Sequence, residues 1–212
     1  QSTLPAVTAA LDAASEGWEA APCALTAAAM GSAGAVPRLE QALREGELPL
    51  ELGFVRDLSG SGLAEVAPAV GEAVGLVEEP LRIPLAAAWM ELGGTGGAAA
   101  LRAALNAGMP EDQLTAVDFL VRSEASPAEE LLKKAAGSDG PARGYARLAL
   151  AARVGDLGPA QAAAVDVEDR DARLLAMELT GELVSRLDDP GGRVGRKARA
   201  LLVGGLSDPD DA

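Results

Sequence analysis

The sequence predicts an all-α protein, wound as a right-handed α-α superhelix of about six helical pairs. Three observations carry this reading. Alanine and leucine dominate an apolar content of 49%, while aromatic residues make up only 2% of the chain. Alanine is the strongest helix former. Apolar residues recur at spacings of three and four, which places them on one helical face. Turn-forming stretches recur at a nearly constant interval. With Gly34, Gly62, Gly96, Ser126, Gly158 and Gly191 taken as equivalent, the separations are 28, 34, 30, 32 and 33 residues. A helical pair repeated at a fixed period is the signature of a stacked solenoid. Three or four of these helices in isolation fit a bundle equally well, and the regular alternation favours the solenoid.

The grammar is clearest at Asp139–Gly158, DGPARGYARLALAARVGDLG: an opening Gly-Pro, one apolar helical run, and a closing turn. Taken in order, Leu4–Asp12 is a short amphipathic run with Pro5 near its start. Ser15 caps a run through Trp18, Cys23, Leu25 and Met30, where Pro22 marks either a kink or a late start. Gly31–Gly34 is a turn. In AVPRLEQALR (35–44), Val36, Leu39 and Leu43 share a face, and Gly46 closes the helix. Pro49 opens the next, with Leu52, Val55 and Leu58, and a glycine-serine turn follows at 59–62. Leu63–Leu76 aligns Val66, Val70 and Val74, with Pro68 in its first turns. Pro80 and Pro84 flank the start of a run through Ala88, Trp89 and Leu92, and the apolar neighbours make Trp89 a core residue. Gly93–Gly97 is the turn.

Ala98–Asn106 turns Leu101 and Leu105 inward. Pro110 starts a helix that buries Leu114, Val117 and either Leu120 or Val121. Ser126-Pro-Ala-Glu129 reads as an N-terminal box: capping hydroxyl, proline at the first helical position, glutamate three residues on. Leu131, Leu132 and Ala135 follow. Tyr145, Leu148 and Ala152 share one side of the next helix. Pro159–Val165 is short and alanine-rich. Glu168–Arg186 buries Leu174, Leu175, Leu179 and Leu183. Val194–Leu202 begins a pair that is not completed. Residues 1–212 thus read as one repeat domain with an incomplete last repeat and an acidic tail at 206–212.

Composition removes several classes of function. The net charge is −14 and the pI about 4.4. An acidic surface repels phosphate backbones, so no nucleic-acid partner is expected, whereas a basic partner fits. The chain has 0 histidines, which removes the commonest general base and metal ligand. Its one cysteine, Cys23, sits in an apolar run and reads as a buried thiol. No unbroken apolar run reaches membrane-spanning length, so no membrane insertion is expected. A chain beginning at Gln1 suggests processing or trimming. A cytoplasmic place is favoured, with a processed secreted or periplasmic form as the alternative.

Three stretches carry a family resemblance: ALAARVGDLGPAQ (149–161), AAWMELGGTGGAAALRAAL (87–105) and AAAMGSAGAVPRLEQAL (27–43). They resemble bacterial HEAT repeats, closest to the short HEAT-like repeat of the phycobilisome-lyase type. That repeat ends one helix in A-x-x-L-G, turns at G-D-P, and writes the second helix A-V-P-x-L-x-x-A-L. Ala35-Val36-Pro37-Arg38-Leu39 matches the second helix. Gly155-Asp156-Leu157-Gly158 and Leu187-Asp188-Asp189-Pro190 match the turn, and Ser59–Val74 departs most. The resemblance implies a HEAT/ARM-like solenoid and, for most members, a protein-binding scaffold. A minority of the family modifies tetrapyrroles or reads damaged DNA on a basic concave face. The repeat specifies fold better than function.

Catalytic motifs are absent. Gly93-Gly-Thr-Gly-Gly97 lacks the lysine and the strand of a phosphate loop. Gly60-Ser61-Gly62 is not a nucleophile elbow. Asp166, Glu168, Asp169 and Asp171 cluster where acids stabilise a helix start, without calcium-loop spacing. No enzyme, cofactor or metal site is expected.

What remains is a row of arginines on the second helices, which line the concave face in stacked pairs. They are Arg56, Arg82, Arg122, Arg143, Arg147, Arg170 and Arg173. Arg82, Arg122, Arg143, Arg147, Arg170 and Arg173 are the candidate partner-binding residues, reading carboxylates of another protein. The competing reading pairs them within the chain, with Asp118, Asp169 or Glu178. Arg193, Arg196, Lys197 and Arg199 form a basic patch on the last helix. The expected function is a protein–protein interaction scaffold using its concave face. The alternatives are a structural or regulatory module of a larger secreted or envelope protein, and a helical-repeat protein binding a small molecule or phosphate.

Overall fold

The computed structural model describes residues 6–7, 9–10, 19–32, 34–46, 48–49, 51–154, 156–160, 177–178, 180–181 and 192–205. Among them are ten α-helices, one 3-10 turn and no strand. The chain divides into two compact units, residues 1–128 and 129–212.

In the first unit, α1 (Ala20–Ala29) buries Ala21, Ala24, Leu25, Ala27 and Ala28. Pro22 falls in its first turn, where an amide has no intrahelical acceptor, so the late start is what the proline marks. Cys23 is partly buried against the core. After α1, Gly31 adopts φ +88. The amide of Ser32 donates to Ala27 and that of Gly31 to Ala28, at 2.9 and 2.8 Å, a Schellman closure. Helix α2 (Ala35–Glu45) buries Leu39 and Leu43 as predicted, with Val36 at the margin. Helix α3 (Leu52–Gly60) differs from the expected face. Leu52 is 45% exposed, and Phe54 is buried beside Val55 and Leu58. Pro49 lies ahead of the helix, itself buried.

A 3-10 turn (Ala64–Val66) leads into α4 (Ala67–Val74), with Pro68 in its first two positions. Helix α5 (Glu79–Glu91) holds Pro84 in its interior rather than at its start. Pro84 has no amide to reach the carbonyl four residues back, yet it is buried within an otherwise continuous helix. Leu81, Ile83, Leu85, Ala86, Ala87, Ala88 and Met90 are buried on all sides of α5. The reason is its neighbours: α3, α4, α6 (Thr95–Ala107) and α7 (Pro110–Arg122) all pack on it.

Trp89 packs against the core, as its neighbours predicted. Its indole fills a slot bounded by Gly71, Gly94 and Gly96. A Cβ on Gly71 would lie 2.5 Å from Trp89 Cζ2, and one on Gly97 would lie 2.5 Å from the Met90 amide. The stretch read as a turn at 93–97 is therefore mostly a clearance. Only Gly93 has the left-handed backbone, at φ +85, and Gly96 and Gly97 are already inside α6.

Helix α7 starts at Pro110 as expected, and the Asp112 carboxylate accepts the Met109 amide at 3.1 Å. Both Leu120 and Val121 are buried, with Ala116 and Val117. Leu114 is only half-buried.

Helices α1, α3, α5 and α7 contact one another in succession, and α2, α4 and α6 pack beside them. The odd helices end at Ala29, Gly60, Glu91 and Arg122, each 31 residues after the last. Left-handed glycines follow three of them, at Gly31, Gly62 and Gly93. The repeat register is therefore set by these glycines, and not by Gly34 and Gly96, which have ordinary helix-start geometry.

The second unit begins within α8 (Ser126–Gly137), whose buried side is Ala128, Leu131, Leu132 and Ala135. The expected box is modified. The Ala128 amide donates to the Ala125 carbonyl, and Glu129 reaches forward to Lys133 at 2.6 Å. Helix α9 (Arg143–Arg153) buries Ala146, Leu148 and Ala149, leaving Tyr145 at the margin. Its end at Arg153 again falls 31 residues after Arg122. Gly158 donates its amide to Asp156 Oδ1 at 2.9 Å, an Asx turn at the expected place. Helix α10 (Arg193–Gly205) carries buried Ala198. Most of the helix expected at 168–186 and the tail at 206–212 lie outside the described residues, as does Trp18.

Candidate functional site

The 31-residue register puts equivalent side chains in a ladder along the odd helices. One rung position holds Leu25, Arg56, Ala87 and Asp118, and the next turn holds Ala29, Gly60, Glu91 and Arg122. These eight residues all line one of two cavities. The larger, about 630 Å3, lies between α1 and α3, with apolar walls from Pro22, Leu25, Met30, Pro49 and Phe54. The smaller, about 390 Å3, lies where α3, α5 and α7 meet and is lined by Phe119, Ser59 and Ser123 besides charged groups. Both cavities include Arg56 and Gly60, so they adjoin on α3, and together they make up the groove on the face of the odd helices.

The groove's charges are mixed. Arg122 forms an ion pair with Asp118, one turn earlier on α7, and also donates to the Asp118 carbonyl at 3.1 Å. Glu91 Oε1 is buried with no hydrogen-bond partner among the described residues. Leaving a buried acceptor unpaired costs about 1–3 kcal/mol. Glu51 and Asp57 line the larger cavity, and Glu124 the smaller.

The predicted arginines that are described fall in both units. Arg122 lines the groove but is already ion-paired. Arg82 is exposed on α5 and lines neither cavity. Arg143 and Arg147 lie on α9 in the second unit. Arg143 bonds Asp139 at 3.2 Å, with its Nε buried and without a hydrogen-bond partner among the described residues. Arg147 Nε donates to the Ala136 carbonyl at 3.1 Å, tying α9 to the end of α8. Arg170 and Arg173 lie outside the described residues, as do Asp166, Glu168, Asp169 and Asp171. Glu91 is not among the expected site residues, and Gly60 is expected only as part of the 59–62 turn. The signal for them is the spacing of Gly31, Gly62 and Gly93, which the neighbouring Gly34 and Gly96 obscure.

The second unit has its own cavity of about 580 Å3, lined by Glu129, Lys133, Leu150, Ala151, Arg153 and Val154. The Lys133 ammonium, hydrogen-bonded to Glu129, holds that carboxyl below its ordinary value. Among the described residues no group of three or more His, Cys, Asp or Glu is placed to hold a metal. No described helix is long and apolar enough to cross a membrane.

Compared with protein-family models, curated proteins and solved structures, the chain gives no match.

Proposed function

We propose that this chain is a short HEAT-like repeat protein whose helical pairs stack into a right-handed superhelix, and that the face of its odd helices docks another protein. One observation supports the reading above the others: residues at equivalent repeat positions line two cavities that share Arg56 and Gly60. A partner laid across successive repeats meets the same face each time, which is how solenoids present extended binding surfaces. The apolar side chains of the larger cavity supply area, and the charged groups of the smaller one fix register. The absence of histidine favours binding over acid–base catalysis.

Gly60 offers a clean test, because a Cβ there meets nothing within 4 Å and the residue lines both cavities. Gly60→Trp would fill the junction of both cavities without disturbing the core. Capture from a lysate of the source cells, run in parallel with the wild type and Gly60→Trp and quantified by mass spectrometry, checks the reading. A protein retained by the wild type and lost by the variant supports it. Identical capture by both proteins contradicts it.

A further inference from the structure

We infer that the occupant of the odd-helix groove is an amphipathic protein segment bearing lysine or arginine, with apolar side chains in the α1–α3 cavity and a cation beside Glu91. The inference rests on the docking reading above and names the chemistry of the partner. Charge is its first support. Five carboxylates line the groove, Glu51, Asp57, Glu91, Asp118 and Glu124, against two guanidiniums, Arg56 and Arg122. Arg122 is spent on Asp118. The surplus is negative, so a basic segment is attracted and an acidic one repelled.

Glu91 is the second support. It closes α5 at the rung that Gly60 and Arg122 occupy on the flanking helices. Its Oε1 is buried and has no partner among the described residues. That oxygen can turn toward an arriving ammonium or guanidinium without losing a bond to any described residue, and the new bond is charge-assisted. The third support is the apolar half of the groove. Met30 is 38% exposed at its edge, beside Leu25 and Phe54. Apolar and acidic portions are adjacent, so the complementary ligand is amphipathic and basic.

The test uses two fluorescently labelled synthetic peptides on the full chain, one repeating Leu-Leu-Lys-Lys and one with Glu in place of each Lys, with affinity read by anisotropy. Wild type should bind the lysine peptide. Glu91→Gln should weaken it about tenfold, Gly60→Trp should abolish it, and Glu65→Gln, on an exposed acid outside the groove, should leave it unchanged. Equal losses with Glu91→Gln and Glu65→Gln, with Gly60→Trp inert, would mean diffuse attraction to an acidic surface and would overturn the inference. Preferential binding of the glutamate peptide, sensitive to Gly60→Trp, would overturn it while leaving the docking face in place. Failure of both peptides to bind would also overturn it, and the lysate capture then decides the docking reading separately.

Discussion

Gly96 faces Trp89 so closely that a Cβ on the glycine would fall inside the indole, at Cη2. Gly94 meets the other end of the same ring, at Cδ1. The indole of Trp89 is thus accommodated by glycines, which leave side chains out of the space around it. Gly96→Ala should therefore destabilise the protein by about 1–3 kcal/mol, the usual range for overpacking. Gly53→Ala, at a helical glycine with open space around it, should be neutral or stabilise by about 0.5–1 kcal/mol. Urea denaturation followed by circular dichroism separates the two. Equal effects would mean that the slot yields easily.

The left-handed glycines make a second prediction. Gly31 and Gly93 sit at φ +88 and +85, where an L side chain costs about 1–2 kcal/mol. Gly31→Ala and Gly93→Ala should each lower stability by that amount. Gly60→Ala, at a helical position with nothing near its Cβ, should not. The same denaturation series checks the repeat register, because Gly31 and Gly93 share a role that Gly60 does not.

A third prediction concerns pH. Lys133 lowers the pKa of Glu129 in the folded chain. A carboxyl depressed on folding stabilises the native state above its unfolded value, and that contribution disappears as pH falls through the lowered folded value. Glu129 is more than half exposed, so the effect on stability is small. The direct measurement is a carbon-detected NMR titration of the Glu129 carboxyl. Lys133→Met should move its midpoint upward toward the ordinary glutamate value, and an unmoved midpoint would contradict the pairing.

Arg147 gives a fourth. Its bond to the Ala136 carbonyl places a cation at the C-terminal end of α8, where the helix dipole favours it. Arg147→Met should destabilise the second unit by about 0.5–1 kcal/mol. Amide hydrogen exchange in α8 and α9 reads this directly, with faster exchange expected there and none in α1 to α7.

Helix content was legible because alanine, leucine and their spacing act locally. Pro110, Gly46 and the Asx turn at Asp156 were placed from their own chemistry. Local chemistry does not show the role of a residue that depends on a distant neighbour. Pro84 looks like a helix start, yet it is buried inside α5 between four packed helices. Phe54 rather than Leu52 turns inward because the core lies there. The glycines at 93–97 look like a turn, and only their contact with Trp89 and Met90 shows them to be clearance. The groove was harder still. Arginines stand out in an acidic sequence, but Arg122, Arg143 and Arg147 have intrachain partners. Glu91, whose Oε1 has no partner among the described residues, has no local signature at all.

Hydrogen–deuterium exchange of the protein with a captured partner bound tests the docking face most directly. The account predicts new protection in the last turns of α1, α3, α5 and α7, around Ala29, Gly60, Glu91 and Arg122, with α2 and α4 unchanged. Protection confined to α2 and α4, with the odd helices exchanging as in the free protein, would contradict it.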